Sequence, residues 1–535
     1  MKGLNFSFRA VDIGRLRRFR WMGVVALPLC IASSLFADSE SIVIDVSDYR
    51  YSDINTIPRY PIEGVEARVR ITAQNQSNRD VSDLSLIVSV DGKEIATLVA
   101  EVEAEGVSTV EVPWKPSING WANISVRAIS ESLSAEVSAS IEVPVVTRQF
   151  YFQWFTRNWD EDRGLRWANM VQFRGKDESV REYWDNRGFL VYPALGWKKP
   201  RTPEQFTEYL EKAADQYGGF VYDELGGYDD QAFAETPSMV GLKNFLENNP
   251  KSFSAVYAMG SLKPTLLNMV RRERFEHEGL ESPEKTGIDL LLVESYFNYQ
   301  VTSFNSYTRY KYFDQRIDMA RDFDVLEYSI MVLGYAGVED PSIDRNGRGP
   351  HVVTEYELED QVRYIRRMAP EMPGIGFYGH PNSKDHMDWE GIQAFADELC
   401  LKYFVNPVLT IWARDLQMDP VVPEGGDTVT LFAAIHNIGG MDAADVVVTF
   451  YHGDPRSGGT VIGEPVQISR VFSGKGMPEG INEVIDHPMP PGRYQVSQEW
   501  EAVSGYHEIF VTIESSDGLS TILDGMASRD VYVAP

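Results

Sequence analysis

Residues 202–225 run Thr-Pro-Glu-Gln-Phe-Thr-Glu-Tyr-Leu-Glu-Lys-Ala-Ala-Asp-Gln-Tyr-Gly-Gly-Phe-Val-Tyr-Asp-Glu-Leu. Thr202 can cap a helix, and Pro203 suits the first helical turn because its missing N–H would have no helical partner there. The spacing therefore predicts a helix over 203–217. The apolar residues 220–222 then predict a buried strand that runs directly into two carboxylates, Asp223 and Glu224. This stretch is one helix–strand unit with acidic residues at the end of its strand.

The same alternation of apolar strands and helices extends over residues 148–406. We predict eight strands, at 150–155, 170–173, 189–194, 220–222, 254–258, 289–293, 329–333 and 375–378. Helices are predicted between them, among others at 203–217, 239–248, 264–277, 307–322 and 355–368. Eight such units in a span close to 250 residues match a (β/α)8 TIM barrel. The alternative is an open doubly wound sheet, which is disfavoured because no Gly-rich phosphate loop follows the first strand.

The regions on either side of the predicted barrel are rich in short strands. Residues 38–147 and 407–535 alternate apolar and polar residues over short runs, and turn signals such as Asp91-Gly92 and Asn119-Gly120 separate the runs. This spacing predicts two antiparallel β-sandwiches of the immunoglobulin-like kind. The predicted order is therefore a β-sandwich over 38–147, a TIM barrel over 148–406 and a second β-sandwich over 407–535.

The last region also resembles the CARDB sandwich domains of bacterial cell-adhesion-related proteins. The residues that carry the resemblance are His436-Asn-Ile-Gly439, Phe450-Tyr-His-Gly-Asp-Pro455, Gly458-Gly459, Ile462-Gly463 and Gly505-Tyr-His-Glu-Ile-Phe-Val511. The first sandwich is similar to a more distant relative, through residues 73–77 and 88–92. The resemblance implies that both sandwiches are spacers or binding modules without a catalytic role.

The amino-terminal segment predicts a secretory signal peptide over residues 1–37. Positions 1–20 hold six basic residues against one acidic residue, Asp12, and an apolar run over 21–37 ends in the small residue Ala37. The run is shorter than the roughly 20 residues that span a bilayer. We expect a bacterial protein that is secreted or periplasmic and is not inserted in the membrane after cleavage; the alternative is a retained membrane anchor.

Composition excludes several classes of partner and site. Acidic residues outnumber basic ones by 79 to 50, for a formal net charge of −29, which argues against binding to nucleic acid or to an anionic membrane. The two cysteines, Cys30 and Cys400, are too few for a disulfide scaffold or a cysteine-based zinc site. We predict no cofactor and no metal; His380 and His386 with nearby aspartates fit no standard zinc spacing. Without a Gly-x-Ser-x-Gly sequence, an α/β-hydrolase is also disfavoured.

Carboxylates follow two of the predicted barrel strands, at the end where barrel active sites lie. Asp223 and Glu224 follow the fourth strand, and Glu294 ends the apolar run Leu-Leu-Leu-Val of the sixth. An acid in such a position is costly unless it is used or paired. The structural alternative is a helix cap or a salt bridge, for example from Glu294 to Arg174. Two carboxyl groups facing one pocket are what cleavage of a glycosidic bond requires.

Aromatic and basic residues cluster at the same predicted strand ends and are candidate substrate contacts. Sugar rings stack on aromatic faces through their C–H patches, although about half of such residues could instead be core. The candidate substrate-binding residues are Trp197, Tyr222, Tyr296, Tyr335, Tyr378, His380 and Arg174. His380 could hold a hydroxyl or carboxylate or be purely structural.

The barrel resembles those of glycoside hydrolases. The Tyr-Asp-Glu end of the fourth strand is similar to the Asp-Glu pair of hexosaminidase-like families, which implies Glu224 as general acid/base and Asp223 as the residue that orients the substrate's acetamido group. Acids at strands four and six are also similar to the α-galactosidase clan, which implies Asp223 as nucleophile and Glu294 as acid/base. The Asn-Glu pair of the largest retaining clan is absent, because Asp223 stands at the Asn position.

These observations predict a secreted glycoside hydrolase that acts on a poly- or oligosaccharide by carboxylate acid/base catalysis. Glu224 is the favoured acid, and Asp223 and Glu294 are the candidates for nucleophile or stabiliser. The alternative is a non-catalytic extracellular protein, for carbohydrate binding or cell adhesion, in which the barrel is a scaffold. A pair of carboxyl groups at catalytic spacing, one of them with a raised pKa, would favour the first hypothesis, and a filled or closed barrel mouth would favour the second.

Overall fold

The computed structural model describes residues 42–47, 52–155, 166–173, 178–196, 202–225, 230–258, 262–270, 287–295, 306–334, 354–378, 389–473 and 493–535. The predicted signal peptide lies outside these ranges. Glu40–Pro535 cluster as one unit. Among the residues described, none of the helices combines the length and the hydrophobicity that crossing a membrane would require.

The first region forms two antiparallel sheets that pack face to face. Its strands are β1 Ile42–Val43, β2 Ile54–Ile57, β3 Ala67–Asn75, β4 Val81–Val90, β5 Lys93–Val102, β6 Val107–Trp114, β7 Gly120–Ser130 and β8 Ala135–Val145. In one sheet β3 pairs with β6 on one edge and with the short β1 and β2 on the other; the second sheet has the order β5-β4-β7-β8. Asp91 and Gly92 join β4 to β5 with φ of 49° and 78°, the positive values that a tight hairpin turn requires.

The central region is a closed barrel of eight parallel strands, which confirms the predicted TIM barrel. Its strands are β9 Tyr151–Phe155, β10 Met170–Phe173, β11 Leu190–Leu195, β12 Gly219–Leu225, β13 Phe253–Ala258, β14 Leu290–Ser295, β15 Ser329–Gly334 and β16 Gly374–Tyr378. Each strand pairs with the next in chain order, and β16 pairs with β9. Parallel pairing throughout places all eight carboxyl ends at one mouth of the barrel.

Helices cover the outside of the barrel. They are α1 Glu178–Asp185, α2 Pro203–Tyr217, α3 Asp230–Ala234, α4 Pro237–Asn248, α5 Pro264–Leu267, α6 Ser306–Asp322, α7 Glu355–Met368 and α8 Trp389–Cys400. Thr202 caps α2 as predicted, accepting a hydrogen bond from the Gln205 N–H at 3.3 Å. The prediction of a helix over 264–277 was wrong at residues 268–270, because α5 ends at Leu267 and Val270 instead forms a parallel bridge with Ile288.

The final region is a second sandwich, antiparallel except for one pair of strands. Its strands are β17 Val408–Thr410, β18 Leu416–Asp419, β19 Thr428–Asn437, β20 Ala443–His452, β21 Thr460–Val471, β22 Arg493–Glu501, β23 Gly505–Ser515, β24 Thr521–Asp524 and β25 Met526–Val533. One sheet joins β18, β19, β17 and β24, with β22 on β19, and in it β17 and β24 pair in parallel; the other has the order β21-β20-β23-β25. A buried apolar cluster fills the space between them. The sandwiches predicted on either side of the barrel are both confirmed.

The described contacts between the barrel and the two sandwiches lie below the amino ends of the barrel strands. Arg366, fully buried at the end of α7, donates to the carbonyls of Tyr403 (2.9 Å) and Pro370 (3.1 Å) and to that of Ile438 in the second sandwich. The Arg59 N–H of the first sandwich donates to the Gly188 carbonyl at 3.0 Å. The sandwiches also contact each other, because the Asp442 N–H donates to Asn119 Oδ1 at 2.7 Å.

Candidate functional site

The inward positions of the barrel strands follow from their alternation. A buried cluster made only of strand residues contains Val221, Ala255, Tyr257, Leu292 and Val332, among others. The neighbouring positions of the same strands belong to a separate cluster that includes the surrounding helices. Because side chains alternate along a strand, the first cluster is the interior of the barrel and the second joins strands to helices.

Polar residues lie among the inward positions toward the carboxyl ends. Gln153 on β9 and Gln172 on β10 are fully buried, and Tyr257 on β13 is 1% exposed. The Tyr257 hydroxyl donates to Gln172 Oε1 at 2.9 Å, and Gln153 Nε2 donates to the same oxygen at 3.3 Å. These three side chains, which we call the polar floor, connect opposite sides of the barrel below its mouth.

The predicted carboxylates Asp223 and Glu294 lie at the ends of the strands on either side of β13. Asp223 is partly exposed and Glu294 is 9% exposed. Glu294 follows the interior residues Leu290 and Leu292 at the same parity, so it faces the barrel axis. The structure therefore places two predicted carboxylates, from β12 and β14, on either side of the strand that holds Tyr257.

Both carboxylates act electrostatically on Tyr257. Burial raises the pKa of the Tyr257 phenol well above its usual value, and the charges of Asp223 and Glu294 raise this pKa further. A hydrogen bond with Gln153 acts in the opposite direction, and Tyr378 adds a smaller upward effect. The phenol is therefore a neutral hydrogen-bonding group at physiological pH.

The end of β12 does not alternate regularly. Tyr222 pairs with Val256 and Leu225 pairs with Ala258, so β12 has one residue more than β13 between these pairs. Tyr222 and Leu225, three positions apart, both pack in the strand–helix cluster. Strict alternation would point Asp223 and Glu224 to opposite faces of the strand, and this bulge interrupts the alternation between them. Bulges of this kind occur next to active sites, where they redirect side chains.

Gly376 on β16 gives the polar floor its space. A Cβ atom at this position would lie 2.5 Å from Gln153 Oε1 and 2.9 Å from Val332 Cγ2. Both distances are shorter than a side chain tolerates. The Gln153 amide can therefore extend across the barrel only because position 376 has no side chain.

The structure describes few of the predicted substrate contacts. Tyr378 is a partly buried member of the interior cluster at the end of β16. Tyr222 is 1% exposed and packs edge-on against Phe206 of α2, with ring centroids 5.1 Å apart, so it belongs to the core between strand and helix. The predicted contacts Trp197, Tyr296, Tyr335, His380 and Arg174, and the side chain of Glu224, lie outside the described residues.

Gln153, Gln172 and Tyr257 were missed by the sequence analysis. Each is a polar residue, at the parity of the barrel interior, within an otherwise apolar strand. The sequence shows the polar residue within an apolar run, in Phe-Gln-Trp around 153 and Val-Gln-Phe around 172, but not the face to which it points.

Metal and thiol chemistry have no described group to support them. Within the described residues, there is no group of at least three His, Cys, Asp or Glu side chains that could hold a metal ion. Cys400 is 1% exposed at the end of α8, and burial raises the pKa of its thiol well above its usual value. A protonated, inaccessible thiol is not a nucleophile.

Comparisons by sequence found no relative: no protein-family model and no curated protein matches the chain. Solved structures show distant similarity. A β-glucuronidase of Bacteroides uniformis aligns with 92% of this chain and 62% of its own, at 10% identity and a TM-score of 0.31. A GH2 β-galacturonidase of Eisenbergiella tayi aligns with 65% of this chain and 70% of its own, at 12% identity and a TM-score of 0.30. The chain thus spans less than two thirds of the Bacteroides enzyme.

A CARDB domain of a Pyrococcus furiosus protein, solved with two metal ions, aligns with 21% of this chain and 95% of its own. Its identity is 15% and its TM-score is 0.17. Similarity at this level does not assign the chain to a family.

Proposed function

We propose that the chain is a glycoside hydrolase whose catalytic carboxyl groups lie at the mouth of the barrel. The observation that carries the proposal is the placement of Asp223 and Glu294 on β12 and β14, where both charges act on the buried Tyr257 between them. Active sites of (β/α)8 barrels form at the carboxyl ends of their strands. Glycoside hydrolysis needs two carboxyl groups, one to protonate the leaving oxygen and one to attack or to activate water.

The roles of the carboxyl groups follow from their surroundings. Glu294 is almost fully buried and faces the barrel axis, where it can reach the leaving oxygen of a sugar bound in the barrel mouth, and it is proposed as the general acid. Asp223 is more exposed to solvent and suits the ionised role of nucleophile or stabiliser. Glu224, next to Asp223 in the bulge, is the second candidate for the acid.

The proposed substrate is a neutral poly- or oligosaccharide. A chain with a formal net charge of −29 repels sulfated or uronic-acid polymers, and two of its carboxylates lie at the described site. Tyr378, at the end of β16, is the described aromatic residue placed to contact a sugar ring. The amino-terminal segment is proposed to direct secretion, which would bring the enzyme to extracellular or periplasmic polysaccharide.

A panel of aryl glycosides and neutral polysaccharides tests the proposal with the wild type and with Asp223→Asn, Glu294→Gln and Glu224→Gln. We expect the catalytic variants to lose about 10²–10⁴-fold in kcat/KM with folding intact. Glu208→Gln, an exposed carboxylate on α2, is the matched control and should keep full activity. Hydrolysis that survives all three site substitutions would overturn the proposal.

The same variants separate the acid from the nucleophile. The variant that lacks the acid should retain more activity on a 2,4-dinitrophenyl glycoside, whose leaving group needs no proton, than on a natural linkage. The variant that lacks the nucleophile should lose activity on both. Glycan binding without hydrolysis of any substrate would instead support a carbohydrate-binding scaffold.

A further inference from the structure

Two tyrosines form an exposed pair on the outer face of the second sandwich. Tyr506 on β23 is 85% exposed and Tyr532 on β25 is 50% exposed. They are directly opposite each other in the register of the two strands, with ring centroids 4.8 Å apart and planes inclined by 46°. Their neighbours on β23 at the opposite parity, Ile509 and Val511, face the core of the sandwich. The rings therefore form one tilted aromatic surface that faces solvent.

Exposure of this extent is unusual among the described residues. Three tyrosines stand among the large, strongly exposed hydrophobic side chains, and two of the three are this pair; the third is Tyr356 on α7. Single exposed apolar residues are ordinary, whereas contiguous exposed aromatic area marks an interaction site.

A row of carboxylates lies beside the tyrosines on the same face. Glu508 and Asp530 are both exposed and directly opposite each other, and each lies two positions from the tyrosine of its own strand. Like charges opposite each other destabilise a sheet. Arg456 offsets part of this repulsion, because it lies close enough to Glu508 for the two charges to interact, but its hydrogen bonds go to Asp454. The two carboxylates are therefore exposed hydrogen-bond acceptors beside the tyrosines.

We infer that Tyr506, Glu508, Asp530 and Tyr532, here called the tyrosine–carboxylate face, bind a neutral polysaccharide chain. Aromatic rings pack on the C–H faces of sugars, and ionised carboxylates only accept hydrogen bonds, which sugar hydroxyls donate. The face extends about 7 Å along the strands and about 5 Å across them, the size of one to two sugar units. Its own carboxylates exclude polyanionic glycans. This site is separate from the one at the barrel mouth, because it lies on a sheet of the second sandwich. It binds the polysaccharide without cleaving it.

Binding to this face can be measured independently of hydrolysis. The full chain carrying Glu294→Gln is tested by affinity electrophoresis in gels containing xylan, mixed-linkage β-glucan or galactomannan, with alginate as the polyanionic comparison. We expect retardation by at least one neutral polymer and none by alginate. Tyr506→Ala with Tyr532→Ala should weaken binding about tenfold or more, as expected for the loss of two stacking rings. Glu508→Gln with Asp530→Asn should weaken it as well.

Controls distinguish this inference from the proposed function. Tyr356→Ala removes an equally exposed tyrosine elsewhere and should bind as the parent does. Tyr506→Ser alone, which removes a side chain with little buried surface, keeps the test valid if the double alanine variant is unstable. In the chain with Glu294 intact, the tyrosine substitutions should leave hydrolysis of a small aryl glycoside with a poor leaving group unchanged. Glu294→Gln should lower that hydrolysis about 10²–10⁴-fold and leave binding unchanged.

Three results would overturn the inference. One is the absence of retardation by every neutral polymer. Another is retardation that the tyrosine substitutions leave unchanged. The third is self-association of the wild type, in sedimentation velocity, that disappears in Tyr506→Ser, which would make the face a contact between copies of the chain.

Discussion

The guanidinium of Arg367 on α7 donates two hydrogen bonds, each of 2.6 Å, to the two carboxylate oxygens of Asp524 on β24. This contact joins a barrel helix to the second sandwich. It raises the pKa of Arg367 above its usual value, through the hydrogen bonds and the charge of Asp524. The two side chains are 39% and 25% exposed, so solvent screens part of the attraction.

Replacing either partner should weaken the junction between barrel and sandwich. We expect Arg367→Met and Asp524→Asn each to lower the free energy of unfolding by about 1 kcal/mol, because a two-point charged contact is stronger than an ordinary surface pair. Urea denaturation of both single variants and the double variant measures the coupling. Lys243→Ala, which breaks an exposed 3.9 Å pair with Glu247 on α4, should change stability by less than about 0.5 kcal/mol. If the effects of Arg367→Met and Asp524→Asn on the free energy of unfolding simply add in the double variant, the predicted coupling is contradicted.

Tyr257→Phe should affect both stability and the pH dependence of catalysis. Removing the hydroxyl takes away the shorter of the two described hydrogen bonds to Gln172 Oε1 and leaves the 3.3 Å bond from Gln153 Nε2, so the cost should be about 1 kcal/mol. Loss of the hydroxyl also makes the barrel mouth less polar, and a less polar environment favours the protonated form of the carboxyl groups there. We therefore expect the acidic limb of the plot of kcat/KM against pH to move to higher pH. Tyr364→Phe loses a hydrogen bond to Asp314 between α7 and α6. This control should lose stability without moving the pH profile.

Gly376→Ala should disturb the polar floor. The added methyl group would meet Gln153 Oε1 at 2.5 Å, so either the amide or the strand must shift, at a cost of about 1–3 kcal/mol. We expect a lower unfolding midpoint and reduced hydrolysis by a folded protein. Gly196→Ala, where an added Cβ meets nothing within 4 Å, should leave the unfolding midpoint unchanged. Equal midpoints for the two variants would refute this interpretation.

Asp397 should make stability depend on pH in an unusual direction. It is buried on α8, where it accepts hydrogen bonds from the Trp167 and Ala168 N–H groups. Burial raises its pKa to about 7, although these bonds and the charge of Arg59 act in the opposite direction. An unfolded chain ionises this group above its ordinary pKa of 3.8, whereas the folded protein keeps it protonated up to about pH 7. Its contribution to stability is therefore complete below about pH 4 and declines as pH rises to 7.

The difference in unfolding free energy between wild type and Asp397→Asn isolates this effect. Measured by urea denaturation from pH 4.5 to 8, it should fall with rising pH by a few kcal/mol, since one pKa unit corresponds to about 1.4 kcal/mol, and then level off. A difference that rises with pH would show that Asp397 is ionised in the folded protein.

Local sequence signals predicted the barrel closely. Helix α2 has the predicted bounds, because Thr202 and Pro203 define its start, and helix α7 begins with a reciprocal cap between Thr354 and Glu357. Apolar runs located every barrel strand to within a few residues, since strands buried on both faces are continuously hydrophobic.

The candidate site was predictable only in part. Asp223 and Glu294 stand out because an acid ends an apolar run. The polar floor does not, because one glutamine or tyrosine in a strand is common and its inward direction becomes apparent only when the strands close. The outward packing of Tyr222 depends on parity next to a bulge, and no local signal predicts an added residue.

The described contacts between the domains lie at the amino ends of the barrel strands. The residues that hold the domains together are therefore separate from the residues of the candidate site. Arg366 and its carbonyl partners hold the domains together at one end, and the carboxylates lie at the other. Loops at the mouth can then change in length and composition without weakening the joints between domains. Substitutions at the mouth can therefore change substrate specificity, in nature or in a mutant library, without destabilising the contacts between domains. Substitutions at the amino ends of the strands would instead lower the amount of folded protein, so that no new activity could be selected.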